Sequence, residues 1–183
     1  MNIIKRLCSA VELKGRIADR RARLYRVAYA WCGERHLADD LVQETMARAL
    51  GKVQQLRDPD RLDSWLYSIL NNCWREHLRG RRPNVELDED TLASTHCPQH
   101  ISETDQLAQR MRGLMGSLPM GQRQVIALVA LDELTYREVA DVLDIPIGTV
   151  MSRLSRARQF LAEQFRSPAT TSDTSHPYLR RVK

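Results

Sequence analysis

Apolar residues recur at spacings of three and four in two long blocks, from about Glu12 to Arg82 and from about Asp105 to Phe165, and the pattern stops between them. The first block breaks at Arg57-Asp58-Pro59-Asp60; the second breaks at Leu118-Pro119 and at Asp144-Ile145-Pro146. The interruption, Pro83 to about Thr104, contains Pro98, is rich in Asp, Glu, Ser, Thr and His, and has room for one short helical turn. Only 8 glycines and 7 prolines occur in 183 residues, while Leu, Ala, Arg, Glu and Gln are plentiful. The expected fold class is therefore all-α: two small helical domains, 1–83 and 105–166, joined by a flexible acidic linker, 84–104. A disordered tail is expected from 167 to 183.

Charge follows the same division. Residues 1–83 hold 17 Lys/Arg against 10 Asp/Glu, residues 84–109 hold none against 6, and residues 110–183 hold 11 against 7. Two basic blocks suggest polyanion partners, and an acidic strip between them cannot itself lie on phosphate. Nucleic acid is the leading partner class. An apolar fraction of 43% and a charged fraction of 28% are those of a folded soluble protein. No apolar run approaches the roughly 20 residues that span a bilayer, and the apolar stretch in Met1 to Ala10 is too short for a signal peptide, so no membrane insertion and a cytoplasmic location are expected. Cys8, Cys32, Cys73 and Cys97 show no paired spacing and read as thiols, the first three as small packing residues.

Leu134 to Leu161 reads as helix, tight turn, helix. Thr135 with Glu138 has the spacing of a capping box, and the proline at 146 disfavours helical geometry at Ile145. On a wheel of about 100° per residue, Val150, Leu154, Ala157 and Leu161 form one stripe, the buried one. Thr149, Ser152, Arg153 and Arg156 gather on a neighbouring face, with Arg158 further round. A face of Arg, Ser and Thr at helical spacing suits a major-groove reader, because arginine pairs bidentately with guanine and hydroxyls reach bases or phosphates.

The run Leu118-Pro119 to Gln122-Arg123, then Leu134-Thr135-Tyr136-Arg137-Glu138-Val139-Ala140, Ile145-Pro146-Ile147-Gly148-Thr149-Val150, Ser152-Arg153-Leu154 and Arg156-Ala157-Arg158 resembles region 4 of the extracytoplasmic-function (ECF) sigma factors. That resemblance implies a domain that binds the promoter near minus 35 and touches the flap of RNA polymerase. It assigns base contacts to Ser152 and Arg156, supported by Tyr136, Thr149 and Arg153. The sequence departs from the pattern at Met151, where the family usually has Lys or Arg, and at Ser155, where it is often larger.

In the first block, Leu41, Val42, Thr45, Met46 and Ala49 share one side of a helix from about Leu37 to Leu50, and Asp40, Gln43, Glu44 and Ala47 share the other. Asp40 and Glu44 are like charges four apart, which costs a helix a few tenths of a kcal/mol, roughly, unless something uses them. Ala38-Asp39-Asp40-Leu41-Val42-Gln43-Glu44-Thr45 resembles region 2.2 of the same family, which docks on the coiled coil of the largest polymerase subunit. The resemblance gives polymerase binding to Asp39, Asp40, Leu41, Gln43 and Glu44.

The next helix, Ser64 to Arg79, places Trp65, Leu66, Ile69, Leu70, Cys73 and His77 on an apolar side. Ser68, Asn71, Asn72, Arg75 and Arg79 lie on a polar one, with Tyr67 and Trp74 at the border. Cations for phosphates, amides for base edges and rings for stacking together suit a splayed single strand. Asp63-Ser64-Trp65-Leu66-Tyr67 with Ile69, Asn72 and Leu78-Arg79 resembles regions 2.3 and 2.4, which recognise the minus 10 element and take a flipped base into a loop. By resemblance that loop is about Gln55 to Ser64, with Arg57, Arg61 and Asn72 at its pocket; Trp65, on the apolar side, reads as core, and Glu76 stands where the family has Asp.

His96, Cys97 and His100 have irregular spacing and no fourth ligand nearby, so no metal is expected there. No phosphate-cradling glycine loop or catalytic set is present, so neither a cofactor nor an enzyme is expected. The resemblance implies an alternative sigma factor with three partners: core RNA polymerase, promoter DNA and an anti-sigma factor. The competing reading, a stand-alone helix-turn-helix regulator, has no use for both an acidic amide helix and a strand-melting helix. Replacing Met151→Arg should restore a cation on the reading helix, tightening promoter binding and steepening its salt dependence. A salt titration of binding to promoter DNA checks this, and unchanged affinity and slope would refute it.

Overall fold

The computed structural model of the chain describes residues 12–56, 58–81 and 103–166. Every regular element among them is helical. A short α1 (12–19) runs through the turn residue Arg20 into α2 (Arg21–Cys32). Helix α2 ends because Gly33 adopts φ 72°, a left-handed geometry that costs glycine little, and donates its N–H to the Tyr29 carbonyl. Helix α3 (Arg35–Gly51) follows, then two single 3-10 turns, Val53–Gln55 and Pro59–Arg61, at the break seen in the sequence. Asp58 caps the second turn by accepting from the Asp60 N–H, with Pro59 at the first position where its missing N–H does no harm. Helix α4 (Leu62–Arg81) completes the first module. Its core is built from Leu24, Val27 and Trp31 of α2, Leu41 and Val42 of α3, and Leu66 and Leu70 of α4.

The second module comprises α5 (Glu103–Ser117), α6 (Met120–Asp132), α7 (Tyr136–Leu143) and α8 (Ile147–Arg166). Helix α5 begins at Glu103, two residues before the expected boundary. Pro119 stands immediately before α6, where a proline is tolerated because the first N–H groups of a helix lack intrahelical partners. Helix α6 is buried along most of its length and forms the spine of this module. The capping box of α7 is present: the Thr135 N–H and hydroxyl reach Glu138 Oε2 at 2.8 and 2.6 Å, and the Glu138 N–H returns to Thr135 Oγ1 at 3.3 Å. Asp144, at φ 56°, then stops α7 and donates its N–H to the Ala140 carbonyl.

The modules are not held apart. Helix α2 lies along α6 and α4 lies along α7, so one continuous hydrophobic cluster runs through both. The pattern of local spacing has no means of showing this, because the contacts join positions as much as 109 residues apart. The expected linker, apart from the first residues of α5, and the expected tail lie outside the described residues.

Thr135→Ala removes the hydroxyl half of the capping box, the bonds through Thr135 Oγ1, and leaves the backbone N–H of residue 135 on Glu138. It should destabilise the chain by about 1 kcal/mol, seen as a lower urea midpoint, whereas Thr135→Ser should recover most of the loss.

Candidate nucleic-acid and protein interfaces

Helix α3 carries the acidic amide strip. Asp40, Gln43 and Glu44 are exposed and Asp39 is half-buried, but Leu41 packs into the core at 4% exposure and so supports the strip from behind. The carboxylates differ in company. Asp39 accepts from Arg21 Nη2 at 3.1 Å, and Glu44 accepts from Arg48 Nε at 2.6 Å. Arg48 then grips Glu76 of α4 with both ends of its fork, at 2.9 and 2.7 Å, which holds the Glu76 carboxyl below its usual range. This pairing answers the like-charge cost of Asp40 and Glu44. Asp40 makes no ion pair with any described residue, so it is the carboxylate most open to an outside cation.

On α4 the polar face divides. Asn72 and Arg79 are exposed, and Ser68 and Arg75 are half-exposed, with the Ser68 hydroxyl donating to the Ser64 carbonyl at 3.0 Å. Asn71 departs from the expectation of an open DNA contact. It is 3% exposed, its amide donates to the Val142 carbonyl of α7 at 3.2 Å, and its own carbonyl accepts from Gln124 of α6 at 3.2 Å. The cause is the packing of α4 on α7, which the wheel of a single helix does not contain. Arg61 is exposed and stands 3.6 Å from Asp141 of α7; Arg57 lies outside the described residues. Tyr67 and Trp74, placed at the border by the sequence, are both buried, Trp74 stacking on His77 with ring centres 5.8 Å apart. Trp65 is half-buried against the core, in keeping with its reading as a packing residue.

Helices α7 and α8 form the helix-turn-helix. Val150, Leu154 and Ala157 are buried, as the stripe required, with Leu161 half-buried below them. Ser152 and Arg156 are exposed on the neighbouring face, and the Ser152 hydroxyl donates to the Thr149 carbonyl at 3.0 Å. Thr149 and Tyr136 are half-buried. Arg153 is also half-buried, because its guanidinium folds back over Gly121 at the start of α6. A Cβ built on Gly121 would lie 2.6 Å from Arg153 Cζ, so this arginine packs the helix pair and does not project with Ser152 and Arg156. Met151 is 54% exposed beside them, an apolar side chain among polar ones.

Several charged residues that the sequence reading passed over lie between the modules. Arg23 of α2 reaches Asp63 at 3.2 Å and, with Nε, Asp132 of α6 at 2.9 Å; Arg20 also holds Asp63, at 2.6 Å. Burial pushes the Asp132 carboxyl up more than Arg23 brings it down, and the other oxygen, Oδ2, is buried with no hydrogen-bond partner among the described residues. Arg123 is 1% exposed and donates to the carbonyls of Gly116, Leu118 and, across the junction, Trp31. A helical spacing cannot signal such pairs, although Glu44 and Arg48, four apart, were legible as partners.

Burial pushes the Cys32 and Cys73 thiols up, which suits packing residues and not thiolates. No group of three or more His, Cys, Asp or Glu side chains that could hold a metal occurs among the described residues; His96, Cys97 and His100 lie outside them. No described helix is long and apolar enough to cross a membrane.

Residues 17–83 match the family model for sigma-70 region 2, and residues 108–161 match that for sigma-70 region 4. The chain is 33% identical over 135 residues to the ECF RNA polymerase sigma factor EcfG of Rhodopseudomonas palustris, covering 74% of this chain and 75% of the relative. It is 28% identical over 156 residues to SigW of Bacillus subtilis, covering 79% and 83%. Among solved structures it resembles the sigma factor RpoE in complex with the anti-sigma factor NepR from Bartonella quintana. That likeness has a TM-score of 0.68 and 26% identity, and covers 84% of this chain and 96% of the other. It also resembles CnrH in complex with the cytosolic domain of CnrY, with a TM-score of 0.60 and 25% identity over 85% and 94% of the two chains.

Because Arg153 meets Gly121 with the far end of a flexible side chain, Gly121→Ala should change stability by less than about 1 kcal/mol while displacing that guanidinium. Urea unfolding checks the first part. Binding to duplex DNA over a salt series checks the second, where one added phosphate contact steepens the slope by about 0.9.

Proposed function

The chain belongs to the ECF RNA polymerase sigma factors, group 4 of the sigma-70 family, and is an alternative sigma factor that carries core polymerase to particular promoters; we propose how its surfaces divide that work. The module spanning 1–83 docks on polymerase and opens the minus 10 element, and the module spanning 105–166 reads the minus 35 element. Residues 84–104 link them and 167–183 form a tail. On α3, Asp39, Asp40, Gln43 and Glu44 meet a basic polymerase surface, Asp40 foremost because it keeps its charge uncompensated. An acidic strip on an otherwise basic module favours such a protein partner over DNA. The second module also touches the polymerase flap.

On α4, Asn72, Arg75, Arg79 and Ser68 face the displaced single strand, joined by Arg57 and Arg61 from the loop before it. Amides and cations at helical spacing fit base edges and phosphates, so melting draws on captured bases and needs no hydrolysis. On α8, Ser152 and Arg156 meet bases in the major groove, with Thr149 and Tyr136 alongside. Arg153 holds the reading helix to α6. The factor acts by binding, without bond chemistry of its own, in the cytoplasm.

The observation that carries this reading is that one chain exposes both an acidic amide strip on α3 and a Ser152/Arg156 strip on a capped helix-turn-helix. Control by an anti-sigma factor follows from the two similar structures, each solved with such a partner or with the cytosolic domain of a second protein. A cleft of about 670 Å³ between α2, α5, α6 and α8 is lined by Met111, Met115, Ile126 and Leu131 and edged by Arg26 and Arg112. An amphipathic helix with acidic edges fits that lining.

Run-off transcription with purified core polymerase, on the promoter upstream of the chain's own gene, tests the assignment. Transcript should depend on the chain, and Asp40→Ala/Glu44→Ala should reduce it about tenfold or more through weaker docking, with Asp40→Ala alone giving most of the loss. No transcript, together with tight DNA binding in the absence of polymerase, would support the stand-alone regulator instead.

A further inference from the structure

We propose that Arg16 and Arg20 are positioning residues for reading the displaced strand: as two rungs from α1 and the turn after it to Pro59 and Asp63, they fix the exposed turn before α4 and so set which base that turn accepts.

The chain between α3 and α4 has little of its own to hold it. Val53 at one end and Leu62 at the other are buried, but Pro59, Asp60 and Arg61 are all exposed. They form a single 3-10 turn, in which the Arg61 N–H donates to the Asp58 carbonyl at 3.1 Å and the Asp60 N–H to Asp58 Oδ1 at 3.0 Å. One turn of that kind is too short to keep its place by its own hydrogen bonds.

Two distant arginines supply the place. Arg16 Nη2 donates to the Pro59 carbonyl at 3.0 Å, and Arg20 Nε donates to Asp63 Oδ1 at 2.6 Å. Both rungs join positions 43 apart, so Arg16 and Arg20, one helical turn from each other, meet two positions with that same spacing. Between the arginines lies Ile17, fully buried, so the brace stands on the core. From its own helix the Ser64 hydroxyl reaches the Arg61 carbonyl at 3.1 Å.

Folding does not call for the first rung. The Pro59 carbonyl already accepts the Leu62 N–H, and Arg16 makes no ion pair with any described residue. A cation at the amino end of a helix opposes the helix dipole, so Arg16 stands against the electrostatic preference of α4. An exposed bond of this kind adds little to stability. Its effect is on position: it sets the height of Arg61 relative to Asn72, exposed on α4, and a base held between those two side chains fits at one separation.

This rests on the reading above that the loop and α4 take a base of the displaced strand, and the test separates the two. It uses holoenzyme assembled from the full chain and core polymerase, with a fork of promoter DNA from upstream of the chain's own gene whose non-template minus 10 strand is single. Each base of that strand is replaced in turn by the other three, and affinities are read by fluorescence anisotropy. The unaltered holoenzyme should prefer the native base by about tenfold or more at one position, as capture of a single base allows. Arg16→Ala/Arg20→Ala should cut that preference to about threefold or less, and Arg16→Ala alone should cut it about twofold. A ratio of affinities does not change with the fraction of chain that is folded, so its loss marks position and not stability. Arg16→Lys/Arg20→Lys keeps a donor for each rung and should return most of the preference. Where circular dichroism shows that the double alanine variant loses helix, Arg16→Ala decides alone, since it removes one exposed bond. Arg61→Ala reads the underlying assignment. A preference lowered by Arg61→Ala but kept by both alanine variants of the brace would overturn the brace and leave the assignment standing, and so would an equal weakening for all four bases. No preference at any position, or one that Arg61→Ala also leaves unmoved, would overturn both.

Discussion

Arg123 is the interaction on which the arrangement depends. A guanidinium cannot shed its charge inside a protein, so a buried one must be met by acceptors. Here the acceptors are the carbonyls of Gly116 and Leu118, at the end of α5, and of Trp31, one residue before the end of α2. The last carbonyls of a helix have no intrahelical donor, and that end carries partial negative charge. One cation thus caps two helix ends, one from each module, and fixes α6 against both. Burial opposes the charge and lowers the guanidinium's affinity for its proton. Backbone carbonyls of three chain segments accept from it, so their relative geometry is tied to where one side chain finds oxygen.

Much of the architecture was legible because its causes are local. The capping box of Thr135 and Glu138, the stop before Pro146, the break at Leu118-Pro119 and the buried stripe of α8 each follow from residues within a turn or two of one another. What was not legible is whatever depends on a distant surface. Asn71 and Asn72 are adjacent and chemically identical, yet one is buried by α6 and α7 and the other faces water. Arg153 shares a wheel face with Arg156 but is drawn aside by the missing side chain at Gly121. Leu41, on the apolar side of its helix and also within the motif, is core. Trp74 and Tyr67, ambiguous on one helix, became buried once its neighbours were in place.

The Glu44–Arg48–Glu76 chain shows a third case, half legible. The spacing of Glu44 and Arg48 announces a pair, but the bidentate grip on Glu76 joins α3 to α4 across 28 residues. It ties the helix proposed to meet polymerase to the helix proposed to meet the displaced strand. The pairs are exposed, so the gain lies in alignment of the two helices more than in stability.

Of the five buried polar side chains among the described residues, four, Asn71, Arg123, Gln124 and Asp132, sit at or beside the junction of the modules, and Thr45 lies away from it. An interior face made this way differs from a face of leucines when it is exposed. Its groups can exchange protein partners for water, and it offers less greasy surface to neighbouring chains.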